Sequence, residues 1–246
     1  MKRVGILIGG LLLCLGLTGC QSTPDKKVDS TLATEDQAVV WEQDREKAFG
    51  SYDYLSIEEK EAKELLEEKF GLALPALYAG AEKIFDEQLG EGTKKEAPIS
   101  DLVVAGEKLT LTTIFPYQWA EEQYYAYGKT EFTYVWDEQT RQVRLKYQEA
   151  DLAHYDTDEE LHIKDPLAAV TALGKLMEIS ELEDKAEVFK TSYEEAVGQM
   201  TNESVYFEQT ISQSLTNHTV GRNLSVEFGS KGSIVNILAF VADNRS

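Results

Sequence analysis

The chain has 246 residues, of which 42% are hydrophobic and 28% are charged, a composition that excludes a collagen-like or wholly disordered chain. It carries 24 basic and 44 acidic side chains, which gives a formal charge of −20. A chain this acidic repels phosphate backbones, so we expect no nucleic-acid partner.

The first 19 residues have the pattern of an export signal. Lys2 and Arg3 precede an apolar run over residues 4–17, which is shorter than the roughly 20 residues needed to span a bilayer. The run ends in Leu-Thr-Gly-Cys at residues 17–20. These four residues resemble the lipobox of bacterial lipoproteins, in which the chain is cut before the cysteine and the cysteine is acylated. The resemblance covers residues 1–20 only, and it implies a lipid on Cys20.

Acylation of Cys20 predicts a protein held at the cell membrane by its lipid, on the outer side of the cytoplasmic membrane. Two fatty acyl chains, such as palmitate, anchor a protein stably where one chain is marginal. Removal of residues 1–19 leaves 24 − 2 = 22 basic and 44 acidic side chains, a charge of −22. Cys14 leaves with the signal, so the folded part has no free cysteine, which excludes disulfides, thiol nucleophiles and cysteine-ligated zinc.

Residues 20–50 begin with the lipidated cysteine and are mostly polar, which predicts a flexible tether. A first α+β module is expected over residues 51–150. Ser56 and Glu59 have the spacing of a capping box for a helix that runs to about Phe70, with Gly71 as its C-cap. A second helix is predicted over residues 72–89. Alternating apolar residues then predict strands at 109–115, 132–136 and 143–147.

An acidic linker is predicted over residues 151–164, followed by a second α+β module over 165–246. Helical patterns cover about 166–177 and 181–200, and strand-like runs cover 205–215, 223–228 and 233–241. The fold class is therefore α+β, with helices followed by antiparallel strands in each part. This order is compatible with two similar α-β-β-β halves, but no residue-level repeat supports a duplication, and a single α+β domain explains the same order.

Sequence motifs of common active sites are absent. The chain has no G-x-S-x-G, S-x-x-K, H-E-x-x-H or G-x-x-x-x-G-K-[ST], and its only histidines are His154, His162 and His218. Asp156, Asp158 and Glu160 have the alternate spacing of an oxygen-ligand loop, but Leu161 and Leu167 stand where an EF-hand needs glycine and glutamate. We therefore expect a solvated acidic linker, with no cofactor and no metal.

Aromatic residues are concentrated between Phe115 and Trp136, where nine stand in 22 residues. Phe132, Tyr134 and Trp136 share one strand face and are predicted core residues. Five others are predicted to lie in a loop between strands, where aromatics with polar tips serve recognition: Tyr117, Trp119, Tyr124, Tyr125 and Tyr127. The alternative is that these five pack over the sheet edge.

The sequence therefore favours a membrane-anchored extracytoplasmic lipoprotein that binds a partner and is not an enzyme. The partner is a protein, a cell-wall component or a small ligand. Two alternatives stay open. One is a cell-envelope hydrolase that uses carboxylates, which needs two acids together, one with a raised pKa. The other is a solute-binding lipoprotein, although the helices-then-strands order differs from the alternating order of two α/β lobes.

Overall fold

The computed structural model describes residues 32–120, 123–155, 160–196 and 201–245. Side chains at 120, 123, 124, 188 and 191–196 are not described. The export signal, the lipobox and Cys20 lie outside the described residues. No helix in the described ranges is long and apolar enough to cross a membrane.

The fold is built on one antiparallel sheet in which the order of the main strands is β2-β4-β5-β6-β7-β10-β9-β8. A short β1 pairs with β7, and a short β3 pairs with β5. The strands are β1 Glu42–Asp44, β2 Gly50–Glu58, β3 Lys94–Lys95, β4 Ile99–Gly106, β5 Lys108–Ala120, β6 Gln123–Asp137, β7 Gln142–His154, β8 Ser204–Gln209, β9 Val220–Phe228 and β10 Ile234–Asp243.

In the described residues six helices accompany the sheet, and the second continues as a π-helical turn over Leu65–Lys69. They are α1 Thr34–Val39, α2 Glu59–Glu64, α3 Ala76–Leu89, α4 Pro166–Leu176, α5 Leu182–Ala196 and α6 Ile211–Asn217. Helices α1–α5 lie on one face, where alternate strand residues such as Phe115 and Phe132 are fully buried beneath Tyr78 of α3. We call the opposite face the open face.

Helix α6 lies at one end of the open face, against β9. Gly221 permits this approach, because a Cβ at that position would lie 2.1 Å from Ser214 Oγ of α6. Asn244 donates to the same Ser214 hydroxyl over 2.7 Å. Most of the open face across β4–β7 and β10 therefore has no helix from the described residues over it.

The α+β class is confirmed, with strands forming the larger part. The expected strands lie within β5, β6, β7, β9 and β10, and the helices over 59–69, 76–89 and 166–176 also agree with the expectation. Strands β2 and β4 were not predicted. In β4 both faces carry apolar residues, since Leu102 and Val104 are buried while Ile99 and Val103 are exposed, so its sequence shows no clear alternation. The predicted run 205–215 is wrong in its second half, which is α6.

The predicted capping box is also wrong. Ser56 belongs to β2 and has a left-handed backbone with φ +54°, at a register shift between Tyr54 and Ile57. Its N–H donates to Asp101 Oδ1 over 2.7 Å, so the residue serves the β2–β4 pairing. Helix α2 starts three residues later without a side-chain cap. Gly71 does end this helical stretch with φ +65°, as expected of a C-cap.

Two predicted domain boundaries need correction. Ordered structure begins within the predicted tether, since α1 and β1 occupy residues 34–44. The predicted linker begins inside β7, which continues to His154. Because β7 pairs with β10 in continuous register from Asn236–Ala153 to Ala242–Tyr147, the two predicted modules share one sheet and one hydrophobic core.

The N-terminal segment of the described chain is fastened across the helical face. Arg222 of β9 pairs with Asp36 of α1 at 2.8 Å. Gln148 of β7 donates its amide to the carbonyl of Val39 over 2.5 Å, and Trp41 supplies the carbonyl to which Leu145 N–H donates. These contacts hold residues 34–44 to strands from both predicted modules.

Candidate functional site

The predicted aromatic loop is absent, because β5 and β6 extend through it. Tyr117 and Trp119 lie in β5, whereas Tyr124, Tyr125 and Tyr127 lie in β6. The β5–β6 register shifts between Tyr117 and Gln118 and again before Ala120. These shifts break the two-residue alternation by which the sequence would have revealed the strands.

Tyr117 is a core residue and is unavailable for contact with a partner. Its side chain is fully buried, and its hydroxyl donates to Asp86 Oδ1 of α3 over 2.6 Å. Burial, followed by the Asp86 carboxylate, raises the pKa of this phenol well above its usual value. Lys95 pairs with the same Asp86 carboxylate at 2.9 Å. Tyr117 therefore fastens α3 to β5.

Trp119 stands at the centre of a small exposed cluster that we call the Trp119 cluster: Trp119, Tyr125, His154 and His162. Trp119 is 52% exposed, whereas Tyr125 is buried beneath it. The two rings meet edge to face with centroids 5.2 Å apart. The Tyr125 hydroxyl donates to the His162 carbonyl, and its ring stacks on the His162 imidazole at 6.1 Å. The buried tyrosine thus supports an exposed tryptophan.

Tyr127 lies further along β6 and contacts Tyr155, with ring centroids 5.0 Å apart. Tyr127 is partly buried and Tyr155 is exposed. Burial, followed by the charge of Asp151, raises the pKa of the Tyr127 phenol. The backbone of Tyr124 belongs to β6, but its side chain lies outside the described residues. Of the five predicted contact residues, Trp119 is therefore the one shown with a largely exposed side chain.

Charged residues cluster near Tyr127, in the middle of the open face. Lys129 and Glu131 of β6 stand opposite Asp151 and Glu149 of β7 in the strand register. We call these four residues the acidic cluster. Lys129 Nζ lies 2.5 Å from Glu149 Oε1 and 3.8 Å from Asp151 Oδ2. Glu149 is 7% exposed and Asp151 is 5% exposed, so carboxylates are held out of water on a sheet face.

Burial changes the ionisation of this cluster. It raises the pKa of Asp151 to about 7, and the neighbouring Glu149 and Glu227 act in the same direction, while Lys129 and Asn236 oppose them. Burial and Glu149 also raise the pKa of Glu131. For Lys129 burial acts to lower the pKa, but the hydrogen bond and charge of Glu149 outweigh it, so the pKa rises. The ammonium group of Lys129 therefore acts on all three carboxyl groups, and Lys108 adds a second positive charge near Glu131.

Three oxygen atoms at the cluster have no hydrogen-bond partner among the described residues. One of them, Glu149 Oε1, forms an ion pair with Lys129 Nζ. The other two are Asp151 Oδ1 and Asn236 Oδ1, both inaccessible to solvent. Asn236 lies in β10 directly opposite Ala153 of β7. A buried acceptor without a donor costs about 1–3 kcal/mol. Because Asp151 Oδ1 and Asn236 Oδ1 both accept no hydrogen bond, the site has more acceptors than donors.

Two of the clefts in the described part of the chain border α1. One of about 390 Å³ is polar and is lined by Asp36, Glu208 and Arg222 among others. A second of about 420 Å³ is mostly apolar and lies between Trp41, the start of α3 and the end of α4. In the polar cleft, Arg222 also donates to the Met177 carbonyl over 2.8 Å. Arg222 of this cleft is thus bound to Asp36 and to a backbone carbonyl of the same chain.

The predicted weak cation loop is only partly described. Asp156 and Asp158 lie outside the described residues, whereas Glu160 is exposed and lies 3.9 Å from His162 Nδ1. In the part of the chain that the structure describes, no three His, Cys, Asp or Glu side chains come together in a way that would hold a metal.

Sequence reasoning missed the acidic cluster. The available signal was the alternation of charges in two strands, Lys129 with Glu131 and Glu149 with Asp151. Charges at alternate positions share one face of a strand, but only the β6–β7 register brings the two pairs together.

No protein-family model matches this chain, and no curated protein or solved structure is significantly similar to it. The functional argument therefore depends on the geometry of the Trp119 cluster and the acidic cluster.

Proposed function

We propose that this chain is a lipoprotein, anchored through Cys20 on the outer side of the cytoplasmic membrane, that binds a partner and catalyses no reaction. The partner is a protein, a cell-wall component or a small ligand. The observation that carries the proposal is the half-exposed Trp119 supported by buried Tyr125. A large apolar side chain fixed at the surface provides contact area at low entropic cost, and tryptophan is enriched at binding hot spots.

We also propose that residues 51–150 and 165–246 are two similar halves. In each half two helices precede the last three strands, although β2 stands before α2 in the first half and α6 stands between β8 and β9 in the second. The last strands of the two halves, β7 and β10, pair antiparallel inside the sheet. This arrangement is what two copies related by a two-fold axis would give. The two halves contain different numbers of strands. The proposal therefore concerns the architecture and not a residue-level repeat.

Substitution of Trp119 by alanine tests the binding proposal. The full chain, purified in detergent and immobilised, is exposed to isolated cell walls and to envelope extract, and bound material is quantified. We expect Trp119→Ala to weaken capture by about 30-fold, equivalent to ~2 kcal/mol. The free energy of unfolding should fall by less than about 1 kcal/mol, since the side chain is half exposed.

Tyr206→Ala is the matched control, because Tyr206 is also an aromatic residue and is 51% exposed, but lies in the distant edge strand β8. It should leave capture unchanged. Equal capture by Trp119→Ala and the unsubstituted chain would remove the basis of the proposal.

The second candidate function is a carboxylate-dependent hydrolase of the cell envelope. The observation that favours it is the pKa of Asp151, which burial raises to about 7 beside Glu149. A carboxyl group that keeps its proton near neutral pH can act as a general acid, and a neighbouring carboxylate can act as base or nucleophile. Release of reducing sugars or peptides from purified cell walls, lost in Asp151→Asn, would establish this function in place of the first.

A further inference from the structure

We propose that the acidic cluster and the aromatic rings beside it form a binding site for an organic cation. The ligand group is an ammonium or guanidinium, carried either by a free amine or by a lysine or arginine side chain of a partner. The inference rests on the proposed function in taking the chain to be a binding protein, but it uses a site separate from Trp119.

The charge of the site supports a cationic ligand. Lys129 Nζ is 2.5 Å from Glu149 but 3.8 Å from Asp151, and Lys108 acts on Glu131 but not on Asp151. Glu227 of β9 adds a fourth acid whose charge acts on Asp151. Asp151 is thus 5% exposed, and its ion pair with Lys129 is the longer of the two that this ammonium group makes in the cluster. A second cation at this carboxylate would supply the missing charge.

Hydrogen bonding gives independent support. Asp151 Oδ1 and Asn236 Oδ1 are both buried acceptors that lack a donor among the described residues. Buried polar groups in folded proteins almost always have partners. A ligand that satisfies both oxygens must donate, which ammonium and guanidinium groups do with three and five N–H bonds. A carboxylate or phosphate ligand would meet two further acceptors and is excluded.

Aromatic rings lie at both ends of the cluster. Tyr147 packs on Phe240 with ring centroids 5.3 Å apart, and Tyr127 packs on Tyr155 at 5.0 Å. Along β7, Tyr147, Glu149 and Asp151 occupy alternate positions and so share the open face. Carboxylates flanked by aromatic faces are the usual environment for organic cations, since ring faces attract positive charge.

An inorganic divalent ion suits the site less well. Lys129 Nζ forms ion pairs with both Glu149 and Asp151 and so occupies the space between the carboxylates of β7. A calcium ion takes six to eight oxygen ligands, whereas three oxygens of the cluster lack a hydrogen-bond partner among the described residues. An ammonium or guanidinium group needs no such shell, because each N–H bond is satisfied by one acceptor.

The pH dependence of binding follows from the groups that face Asp151. Those groups are Tyr127, Lys129 and Glu131 from β6, Tyr147 and Glu149 from β7, Glu227 from β9 and Asn236 from β10. With the pKa of Asp151 near 7, the carboxyl loses its proton between about pH 6 and 8. A bound cation favours the ionised form, so the affinity should rise over that range.

Calorimetry on the full chain in detergent tests the proposal. The probes are agmatine and 1,5-diaminopentane as free amines, N-acetyl-lysine amide and N-acetyl-arginine amide as side-chain analogues, and 1,5-pentanediol as the uncharged control. We expect saturable binding of at least one cationic probe, no binding of the diol, and an affinity that rises from pH 6 to 8. If the free amines bind more tightly, the natural ligand is a free amine. If the side-chain analogues bind more tightly, it is a lysine or arginine side chain of a partner.

Asp151→Asn keeps the shape of the side chain and should weaken binding at least tenfold, as should Glu149→Gln. Asp53→Asn is the matched control, because Asp53 is an exposed acid of edge strand β2 whose register partner Val103 is exposed. Near-ultraviolet circular dichroism checks that each variant is folded. Saturable binding lost in Asp151→Asn but kept in Asp53→Asn supports the site.

Three outcomes overturn the proposal: no cationic probe binds, folded Asp151→Asn binds as tightly as the unsubstituted chain, or calcium binds and the amines do not. The Trp119→Ala variant separates this result from the proposed function. It should bind the probes normally, so loss of envelope capture with intact probe binding rejects the Trp119 surface alone, and the reverse pattern rejects the cation site alone.

Discussion

The chemical properties of single residues in this chain depend on which neighbours the strand register places beside them. Asp151 would be an ordinary surface acid on an exposed strand. Its position opposite Lys129 and between Glu149 and the β10 side chains buries it and raises its pKa to about 7. The same placement makes its protonation sensitive to pH in the neutral range.

We expect Asp151 to make the folded state less stable as the pH rises. Its pKa is about 7 in the folded state, against 3.8 for an aspartate in water, so the folded state binds the proton more tightly. The stability that this provides is present at acidic pH and is lost between about pH 4 and 7. Between pH 5 and 8 the loss is roughly 3 kcal/mol.

Chemical denaturation at pH 5 and pH 8 measures this effect. The side chain of Asp151→Asn cannot titrate, so the free energy of unfolding of this variant should differ less between pH 5 and pH 8. In Asp53→Asn the difference should equal that of the unsubstituted chain. A difference of the same size in Asp151→Asn would place the titrating group elsewhere.

At the residue scale the sequence identified Trp119 as a test position but misjudged its neighbours. Tyr117 continues the buried alternation of Leu109, Leu111 and Phe115 along β5, and its hydroxyl donates to Asp86 of α3. Tyr125 lies at the register shift, where it is buried beneath Trp119. Neither the shift nor the helix contact can be derived from local pattern. The acidic cluster was missed for a related reason: it forms between strands, and local alternation does not specify which strands pair.

Elements of secondary structure were more predictable than single contacts. Apolar alternation identified the central strands β5, β6, β7 and β10, since packing on one face imposes that pattern. The edge strand β2 is mostly exposed, with residues such as Tyr52 and Leu55 in solvent. A strand without a buried face leaves no periodic signal, so its discovery required the tertiary structure.

Close packing between elements gives a prediction at Gly128 of β6. A Cβ at that position would lie 2.2 Å from the Phe85 ring of α3. We expect Gly128→Ala to destabilise the fold by about 1–3 kcal/mol through overpacking. Phe85→Leu removes part of the ring, so adding it to Gly128→Ala should cost less than the two single changes together, as measured by denaturation.

Gly71→Ala serves as the control, since nothing lies within 4 Å of a Cβ there and its cost comes from a φ of +65°. Its effect should add to that of Phe85→Leu without coupling. Coupling of equal size at both glycines would mean that the close approach of α3 to β6 is not the cause.

At the scale of the whole molecule, one sheet joins the two parts that the sequence predicted as separate modules. Apolar residues at successive positions made β10 recognisable as a central strand, which lies between β7 and β9, although only alternate residues are fully buried. Its pairing with β7 could not be predicted, because the partner lies about 90 residues away in the chain.

Anchoring of the whole molecule is tested at Cys20. The full chain should partition into detergent, and Cys20→Ala should either release it or block its processing, because the acyl chains supply the membrane affinity. Cys14→Ala is the control, since that residue lies in the apolar part of the signal. Detergent phase separation with mass spectrometry of the N-terminus measures both effects. Normal processing and membrane retention of Cys20→Ala would contradict the lipoprotein assignment.

The fastening of residues 34–44 determines how mechanical tension from the membrane would enter the protein. With a lipid on Cys20, a pull on the anchor reaches Asp36 first and passes through Arg222 into β9, and through β1 into β7. The load is thus received by β7 and β9, two inner strands of the sheet, and not by an edge strand that could peel away. Detachment of residues 34–44 would add 11 residues to the free chain, about 35–40 Å of reach when extended. If the protein is anchored through Cys20, these contacts limit how far the folded part can stand from the membrane.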